Sequence, residues 1–181
     1  MKVAIKPRTF KAKDGRRVVL RSVKGEDLDD LMNFINSLVE EGADIARAEK
    51  VTRDEEAEWL EGLLARIEKG EVMDCAAEID GKVIAHAEVG RRSGLMRHVG
   101  SFGIAIRQGY RGSGIGTQIM QILIDESKKA GLKIIVLDVF DTNKTAKHLY
   151  QKMGFREAGR IQKGIYKNDK YIDLIRMTLE L

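Results

Sequence analysis

The sequence has few of the residues that cross-link secreted proteins and no apolar run that suits a membrane. Its single cysteine, Cys75, excludes a disulfide within the chain. The longest apolar runs are far shorter than the roughly 20 residues that a membrane helix needs. Residues 1–6, MKVAIK, lack the apolar core of a signal peptide. Together these absences predict a cytoplasmic protein with no membrane partner.

Patterns that bind metals are also missing. The chain has three histidines, His86, His98 and His148, and their spacing matches no metal site. One cysteine cannot supply the several thiolates that structural zinc sites use. We therefore expect no metal, and we interpret Cys75 as a buried, inert residue of an apolar strand.

The composition predicts a single globular domain with a basic start. Of 181 residues, 43% are hydrophobic and 33% are charged, an ordinary balance for such a protein. The formal net charge is +4, and the first 24 residues hold nine basic residues against one acid, Asp14. This pattern predicts a basic N-terminal arm over residues 1–16 before a domain over residues 17–181. Phe10 is the only aromatic residue of the arm, so a solvated edge strand is favoured over nucleic-acid binding.

The most informative stretch covers residues 104–130. It begins as an apolar strand end over 104–106, turns through a basic, glycine-rich loop over 107–116, and continues as an amphipathic helix. Such a turn collects unpaired backbone N–H groups where the helix dipole adds partial positive charge. Arg107 and Arg111 add full charges. The loop therefore predicts a site for a phosphate-bearing ligand.

The glycine spacing separates the candidate ligands. Gly112-Ser113-Gly114-Ile115-Gly116 reads GxGxG, which misses the dinucleotide pattern GxGxxG by one residue. No lysine precedes Thr117, so the loop is not a P-loop. The stretch from Arg111 to Gly116 does match Arg-x-x-Gly-x-Gly at a strand-to-helix turn. A nucleotide- or nucleic-acid-binding protein is disfavoured by this spacing and stays open as an alternative.

A second motif follows the helix. An apolar strand over 134–139 leads to Asn143, Ala146, Tyr150 and Gly154-Phe155, in the pattern Asn-x-x-Ala-x-x-x-Tyr-x-x-x-Gly-Phe. The two motifs, in this order, resemble the pyrophosphate loop and the following strand–helix segment of the GCN5-related N-acetyltransferase (GNAT) superfamily. The resemblance implies an enzyme that uses acetyl-CoA.

The other predicted elements follow the order of that superfamily. Upstream lie a strand, two helices and a hairpin closed by Asp80-Gly81, and the second helix begins at a capping box of Thr52 and Glu55. The chain ends in two strands, over 156–166 and 171–179, whose sequence resembles members that acetylate protein N-termini or free amino acids. The implied fold class is α/β (mixed α+β): a twisted mixed sheet of about seven strands, with splayed central strands and about four flanking helices.

The resemblance also implies how acetyl-CoA (coenzyme A) binds as co-substrate. Its pantetheine arm would enter the gap between the central strands and pair with the backbone there. The loop would hold the pyrophosphate through main-chain donors, and a Cβ at Gly114 or Gly116 would narrow that approach. The predicted cofactor-binding residues are Ile104, Ala105, Ile106, Arg111, Gly112, Ser113, Gly114, Ile115, Gly116, Thr117 and Asn143.

The chemistry of acetyl transfer adds catalytic candidates. An alkyl ammonium titrates near roughly 10, so the acceptor needs a base or a water chain. We predict Glu88 as that base, on the same strand side as Ile84 and His86 by alternation, with a solvated sheet residue as the alternative. A backbone N–H near Ile106 is the candidate oxyanion donor. In many members of the superfamily, a tyrosine at the position of Tyr150 protonates the leaving thiolate.

These features predict an N-acetyltransferase, an acyltransferase that moves the acetyl group of acetyl-CoA to a primary amine by direct attack in a ternary complex. A protein N-terminus, a lysine, a free amino acid and a polyamine stay open as acceptors, so the partner is a small molecule or a protein. A non-catalytic acyl-CoA-binding module is the first alternative, and the presence of Tyr150 argues against it. The terminal strands offer a route to a homodimer.

Two further features are interpreted as structural. Trp59 has helical spacing and is expected in the core rather than in a wall of the acceptor groove. Glu40, Glu41 and Asp44 form an acidic loop that could attract a cationic amine, and we expect it to be solvated.

Overall fold

A computed structural model describes residues 5–181; Met1–Ala4, with Lys2 of the predicted basic arm, lie outside the described residues. Residues 5–181 form eight strands and four α-helices, and two short 3-10 helices lie at Gly25–Asp27 and Gly94–Met96. The elements are β1 (Arg8–Lys11), β2 (Arg17–Arg21), α1 (Leu28–Glu40), α2 (Arg53–Glu68), β3 (Val72–Ile79), β4 (Lys82–Arg91), β5 (Val99–Ile106), α3 (Ile115–Lys129), β6 (Ile134–Phe140), α4 (Lys144–Lys152), β7 (Arg156–Lys167) and β8 (Lys170–Glu180).

All eight strands belong to one sheet with the order β1-β2-β3-β4-β5-β6-β8-β7. The β5–β6 pair is parallel and the other pairs are antiparallel, so the sheet is mixed and the predicted fold class is confirmed. The sheet has one strand more than the seven or so expected, because part of the predicted arm is a strand: Arg8 pairs with Leu20, and Lys11 pairs with Arg17. No helix within residues 5–181 is long and apolar enough to cross a membrane.

The helices cover the sheet on two faces with separate cores. On the first, which we call the α3 face, Ile119 and Leu123 pack with Cys75 and Ala87 of the sheet. On the second, the α1/α2 face, the helices α1 and α2 pack on other sheet residues, and that cluster comprises Val23, Leu31, Leu60, Leu63, Ile67, Val72, Ala76 and Val83. Side chains of a strand alternate between the two faces. The sequence pattern of each strand therefore decides which core it supplies.

The local signals that predicted turns and helix ends are confirmed. Thr52 and Glu55 form both halves of the capping box that starts α2. Asp80 and Gly81 close the β3–β4 hairpin with φ values of 51° and 76°, in the left-handed region that a two-residue turn of this kind requires. Gly131 ends α3 with a φ of 80°.

The central strands β5 and β6 splay apart as predicted. Only Val99–Ser101 pair with Ile134–Val136, and β5 then continues beside β4 alone. The N–H of Arg107 donates to the carbonyl of Ile84 at 2.9 Å, so antiparallel alternation turns the N–H and C=O groups of Ile104 and Ile106 away from β4. These backbone groups face the gap between the two strands.

A β-bulge changes which residues of β4 share a face. Ala77 pairs with Ala85 whereas Glu78 pairs with Val83, so Ile84 is an extra residue in the ladder. Ile84 consequently packs in the α3 core together with Ala85. The expectation that Glu88 lies on the same side as Ile84 is therefore wrong, because strict alternation does not hold across the bulge.

Candidate active site

The loop after β5 is shaped to present backbone donors at the start of α3. Gly114 is the N-cap of α3 with a φ of 92°, a left-handed conformation that a residue with a Cβ adopts only under strain. No side chain caps this helix start, so no side-chain acceptor competes for its first N–H groups. The helix dipole points its positive end to the same place. This geometry suits a phosphate.

Gly116 lies where the loop, β5 and α4 meet. A Cβ on Gly116 would lie 3.1 Å from Cδ1 of Ile106 and 3.2 Å from Cδ2 of Leu149. Both distances are tighter than ordinary van der Waals contact, so a larger residue would push β5 or α4 away. The absence of a side chain at this position keeps the helix start close to the gap.

Arg111 joins the loop to two other elements. Its Nε donates to the carbonyl of Ile106 at 2.7 Å, and its Nη2 pairs with Glu41 at the end of α1. The Arg111 side chain is 47% exposed, so a ligand at the loop can still reach it. The positive charge that the sequence predicts for phosphate binding is therefore balanced by the carboxylate of Glu41, which directly follows α1.

The acidic loop of Glu40, Glu41 and Asp44 was expected to be solvated, but its three carboxylates form ion pairs. Glu41 pairs with Arg111, and Glu40 pairs with Lys50. Asp44 pairs with Lys167 at 2.8 Å, and the same ammonium donates to two backbone carbonyls of this loop. These contacts fasten the α1–α2 connection to the glycine loop and to the β7–β8 hairpin.

The other predicted cofactor residues lie around the same gap. Ser113 is buried and donates to the carbonyl of Tyr110 at 2.6 Å, which holds the loop closed. Ile115 is buried in the α3 core, and Thr117 is half-buried in the first turn of the helix. Asn143, after β6, is the N-cap of α4, and its Oδ1 accepts from the N–H of Ala146 at 3.1 Å. Its direct role in cofactor binding stays a prediction.

Tyr150 is a buried side chain of α4 on the α3 face. It is 7% exposed, and its ring centroid lies 6.3 Å from that of Phe102 and 6.1 Å from that of Phe155. Burial raises the pKa of Tyr150 to about 12, so the phenol keeps its proton at neutral pH. A protonated hydroxyl can donate to a thiolate. The acid role of Tyr150 stays a prediction.

The α1/α2 face holds a polar cluster that the sequence analysis did not find. Asp74 of β3 is directly opposite Glu88 of β4 and is fully buried. Its Oδ1 lies 2.6 Å from Nε2 of His86, and its Oδ2 accepts from the N–H of Val23 at 2.8 Å. The bulge at Ile84 brings His86 and Glu88 to the same face as Asp74. These three residues form what we call the Asp74–His86–Glu88 cluster.

Two residues of α2 complete the surroundings of this cluster. The ring of Trp59 meets His86 edge-on at a centroid distance of 5.6 Å. Trp59 is 41% exposed, so the expectation that it lies in the core is wrong. Its ring forms a wall beside His86, because the polar cluster beneath it leaves this part of the α1/α2 face uncovered. Glu56 is 5% exposed, and burial raises its pKa.

Charges around His86 determine its protonation. Burial lowers the pKa of His86, but the hydrogen bond to Asp74 and the charges of Asp74, Glu88 and Glu56 raise it by more, and the net shift is upward. The raised pKa favours the protonated imidazolium form of His86. The cluster therefore combines a titratable imidazole with two carboxylates on this face.

Open space adjoins Glu88. In the β4–β5 ladder, Glu88 is opposite Gly103 and His86 is opposite Ala105. A Cβ added to Gly103 would meet no heavy atom within 4 Å. A small group can therefore lie beside Glu88, next to the backbone of Ile104 at the gap. The structure brings the predicted base close to the predicted position of the cofactor, and its role stays a prediction.

Arg107, the first residue after β5, is the most unusual cation of this region. Its Cζ lies 5.8 Å from the ring centroid of Phe34 of α1, so the side chain extends along the α1/α2 face. Its Nε and Nη2 are buried and have no hydrogen-bond partner within residues 5–181. Buried donors without acceptors are costly, and an anion supplied by a ligand would satisfy them.

The arrangement fits a thioester of coenzyme A. Backbone groups of Ile104 and Ile106 can pair with an extended amide chain in the gap, and the start of α3 offers donors to its phosphates. Within residues 5–181, no group of three histidine, cysteine or acidic side chains is placed to hold a metal ion.

Comparisons with known proteins agree with this geometry. The family model described as Acetyltransferase (GNAT) family matches residues 36–155. The L-methionine sulfoximine/L-methionine sulfone acetyltransferase of Pseudomonas paraeruginosa is 25% identical over 164 residues, which cover 90% of this chain and 94% of that protein. The [ribosomal protein bS18]-alanine N-acetyltransferase of Escherichia coli is 30% identical over 152 residues, which cover 83% of this chain and 99% of that protein.

Solved structures show the same fold. The structure of yncA from Salmonella typhimurium, which holds its cofactor acetyl-CoA, superposes with a TM-score of 0.79 at 23% sequence identity. The match covers 90% of this chain and 93% of that one. At this identity the likeness concerns the fold.

Proposed function

We propose that the acceptor of this chain, which belongs to the acetyltransferase (GNAT) family, is the α-amino group of a free amino acid. The chain is an acetyl-CoA-dependent N-acetyltransferase, as its sequence predicts, and its reaction moves an acetyl group from the thioester to a primary amine. The proposal concerns the acceptor and the residues that serve it.

The charges of the α1/α2 face complement both ends of an amino acid, and this observation carries the proposal. Glu88 and Glu56 can attract an ammonium group. Arg107 has two buried nitrogen atoms that find no partner among residues 5–181, and a carboxylate can bind a guanidinium through two parallel hydrogen bonds. A polyamine or a lysine side chain offers no carboxylate for Arg107. The Pseudomonas relative, named as an acetyltransferase of amino-acid derivatives, supports the same class.

We propose that the acceptor ammonium loses its proton to the Asp74–His86–Glu88 cluster, with Glu88 as the base. The free amine then attacks the thioester carbonyl carbon, and the backbone N–H of Ile106 donates to the oxygen that becomes negative. The C–S bond breaks as Tyr150 gives its proton to the departing thiolate, and the attacking nitrogen, which still carries one proton too many, returns that proton to the Tyr150 phenolate. Transfer is direct, because Cys75 is fully buried and burial raises its pKa to about 12, which leaves no thiolate to carry the acetyl group.

The acceptor proposal is tested by comparing L-amino acids with their amides, following release of free coenzyme A. The amide keeps the α-amine and removes the carboxylate charge. We expect kcat/KM to be at least about tenfold higher for the acids, the effect of one charged hydrogen bond. Arg107→Met should remove this preference and leave the amide rate nearly unchanged.

The matched control is Arg97→Met, which removes an exposed guanidinium from the β4–β5 connection. It should keep the preference for the acid. Equal kcat/KM values for acids and amides with the unmodified enzyme would contradict the proposal.

A protein N-terminus is the second candidate, favoured by the 30% identity to the enzyme named for alanine of ribosomal protein bS18. Peptides that begin with alanine belong in the same assay. A kcat/KM that rises with peptide length would move the proposal to this class. The predicted cytoplasmic location and homodimer stay proposals; the exposure of most of β7, an edge strand, supports contact through the terminal strands.

A further inference from the structure

We propose that the turn between β1 and β2, together with the end of α4, forms a binding site for the 3′-phosphate of coenzyme A. Its cations are Lys11, Lys13 and Lys152. The inference relies on acetyl-CoA as the co-substrate and is independent of the acceptor proposed above. The proposed site assigns a function to part of the basic N-terminal arm, which lies outside both the glycine-loop motif and the second motif.

A cavity of about 190 Å³ lies between the arm and the glycine loop. This volume is several times the roughly 30 Å³ that one water molecule occupies in the liquid, so the cavity has room for a phosphate. Three segments that are distant in the sequence line it: the arm, the start of α3 and the end of α4. The lining residues are Phe10, Lys11, Lys13, Ser113, Gly114, Thr117, Gln118 and Lys152.

The charge of the cavity wall is positive and unbalanced. None of its three lysines forms an ion pair within residues 5–181. The acid nearest in sequence, Asp14, is held by Arg16, whose Nε donates to its Oδ2 at 3.0 Å. The three lysines are exposed, so a ligand can reach their side chains. A doubly charged phosphate is the ligand that such a wall favours.

The turn of the arm is fixed to the glycine loop rather than merely near it. The N–H of Lys13 donates to the carbonyl of Ser113 at 3.0 Å. Nη2 of Arg16 donates to the carbonyl of Gly109 at 2.9 Å, and the guanidinium lies 4.2 Å from the ring centroid of Tyr110. The position of the lysines relative to the loop is therefore set before any ligand binds.

The side chain of Lys13 lies next to Gly114 of the glycine loop. A Cβ added to Gly114 would lie 3.8 Å from both Cγ and Cε of Lys13. The aliphatic part of this side chain therefore covers the glycine that starts α3. Lys13 lines the cavity together with Thr117 and Gln118 of α3.

The order of groups along the cofactor identifies the phosphate. Gly116 contacts Ile106, so this side of the loop adjoins the gap that takes the acyl end. Gly114 and Thr117 line the cavity, whose other walls are the arm and the end of α4. With the pyrophosphate on the loop, the next anionic group outward is the ribose 3′-phosphate. That group reaches the cavity, whereas the pyrophosphate is bound by the backbone of residues 112–116.

The test compares acetyl-CoA with acetyl-3′-dephospho-CoA by isothermal titration calorimetry. The two ligands differ only in the proposed group. We expect the unmodified protein to bind acetyl-CoA about tenfold or more tightly, the effect of at least one charged contact. In Lys11→Met/Lys13→Met this ratio should fall towards one, because acetyl-CoA binds more weakly and the dephospho form is unaffected.

Lys6→Met is the matched control, since it removes an exposed lysine from the same arm outside the cavity. It should keep the ratio of the unmodified protein. A ratio of one in the unmodified protein overturns the inference. An equal loss of affinity for both ligands in the double variant also overturns it, because the lysines would then serve the pyrophosphate. Failure of the unmodified protein to bind either ligand would overturn the cofactor assignment itself, whereas a change in acceptor preference alone would leave this inference standing.

Discussion

The two faces of the sheet hold their functional groups in different ways. On the α3 face, binding groups come from the backbone of one continuous stretch, β5 with the loop and the start of α3. On the α1/α2 face, they are side chains from separate elements: Asp74 of β3, Glu88 of β4, Glu56 of α2 and Arg107 after β5. The first face suits one invariable ligand, because backbone donors do not change when side chains do. The second suits an acceptor that can differ among related enzymes.

The difference also concerns burial of charge. The α3 core contains Ile119, Leu123 and the ring of Tyr150, and the buried polar residues beside it, Ser113 and Ser127, carry no charge. The α1/α2 face buries Asp74 completely and Glu56 almost completely, although burial of carboxylates without partners is costly. Asp74 offsets that cost through Val23 and His86. Stability alone does not require such a cluster, which supports its role in acceptor chemistry.

The largest effect should come from a substitution on the α3 face, where the backbone supplies the binding groups. Gly114→Val places a β-branched residue at a φ of 92° and moves the donors at the start of α3. Loss of two charged hydrogen bonds corresponds to about 3 kcal/mol, or more than 100-fold in the Kd of acetyl-CoA. Calorimetry measures this change, and circular dichroism reports whether the variant is folded.

Gly62→Val is the control for that substitution. A Cβ at Gly62 of α2 would meet no atom within 4 Å, and its φ is not positive. This variant should bind acetyl-CoA normally. Unchanged affinity in folded Gly114→Val would show that the loop does not hold the phosphates.

One proposed proton-transfer group on each face allows a direct comparison. Tyr150→Phe and Glu88→Gln should each lower kcat by about 100-fold, the usual contribution of a general acid or base. The Kd of acetyl-CoA should change little in either variant, since neither side chain is proposed to bind the phosphates. Rapid-mixing kinetics with calorimetry would separate the two quantities. A parent-like kcat in either variant removes that residue from the proposed mechanism.

The smallest effect is a shift in pH dependence. Asp74, Glu88 and Glu56 face His86 and raise its pKa, so a positive imidazolium persists to higher pH beside the acceptor ammonium. Asp74→Asn removes the largest contribution that raises this pKa, and the acid limb of kcat/KM should move to lower pH. His86→Asn should abolish the response to Asp74→Asn. An acid limb that stays in place would contradict coupling between these residues.

The hydrogen bond between Asp74 and His86 should also make the stability of the fold depend on pH. A raised pKa in the folded state means that the protonated pair stabilises the fold below the unfolded pKa of roughly 6.5 and loses this contribution as pH rises through the folded pKa. Asp74→Asn should therefore lower the free energy of unfolding most in mildly acid solution. Urea unfolding at two pH values measures the difference.

Local sequence signals were sufficient for the fold wherever the structure depends on a turn or a helix cap. The capping box at Thr52, the Asp80-Gly81 turn and the glycine loop each specify geometry within a few residues. The splay of β5 and β6 was expected from the family resemblance and not from the residues themselves. The edge strand favoured for the basic arm is present as β1 at the edge of the sheet, although four residues with one aromatic side chain give little periodicity.

The acceptor face escaped prediction for a physical reason. A two-residue turn at Asp80-Gly81 without a bulge would pair His86 with Cys75, which would place His86 and Asp74 on opposite faces. Because Ile84 is an extra residue, each later side chain of β4 points to the opposite face from the one that strict alternation would give. A bulge leaves no sequence pattern as strong as that of a turn, so the Asp74–His86 pair could not be derived. Trp59 was misjudged for the same reason, since the polar group beneath it was unknown.

The splay between β5 and β6 has a consequence for aggregation. A strand edge normally lies at the rim of a sheet, where any other chain can join it and aggregate. Here half an edge, at Ile104 and Ile106, lies in the middle of the sheet, between β5 and β6. A chain that pairs with it must enter between two strands of the same sheet rather than add to the rim. The splay therefore offers unpaired backbone groups to a ligand without presenting them as an edge on which a second sheet can grow.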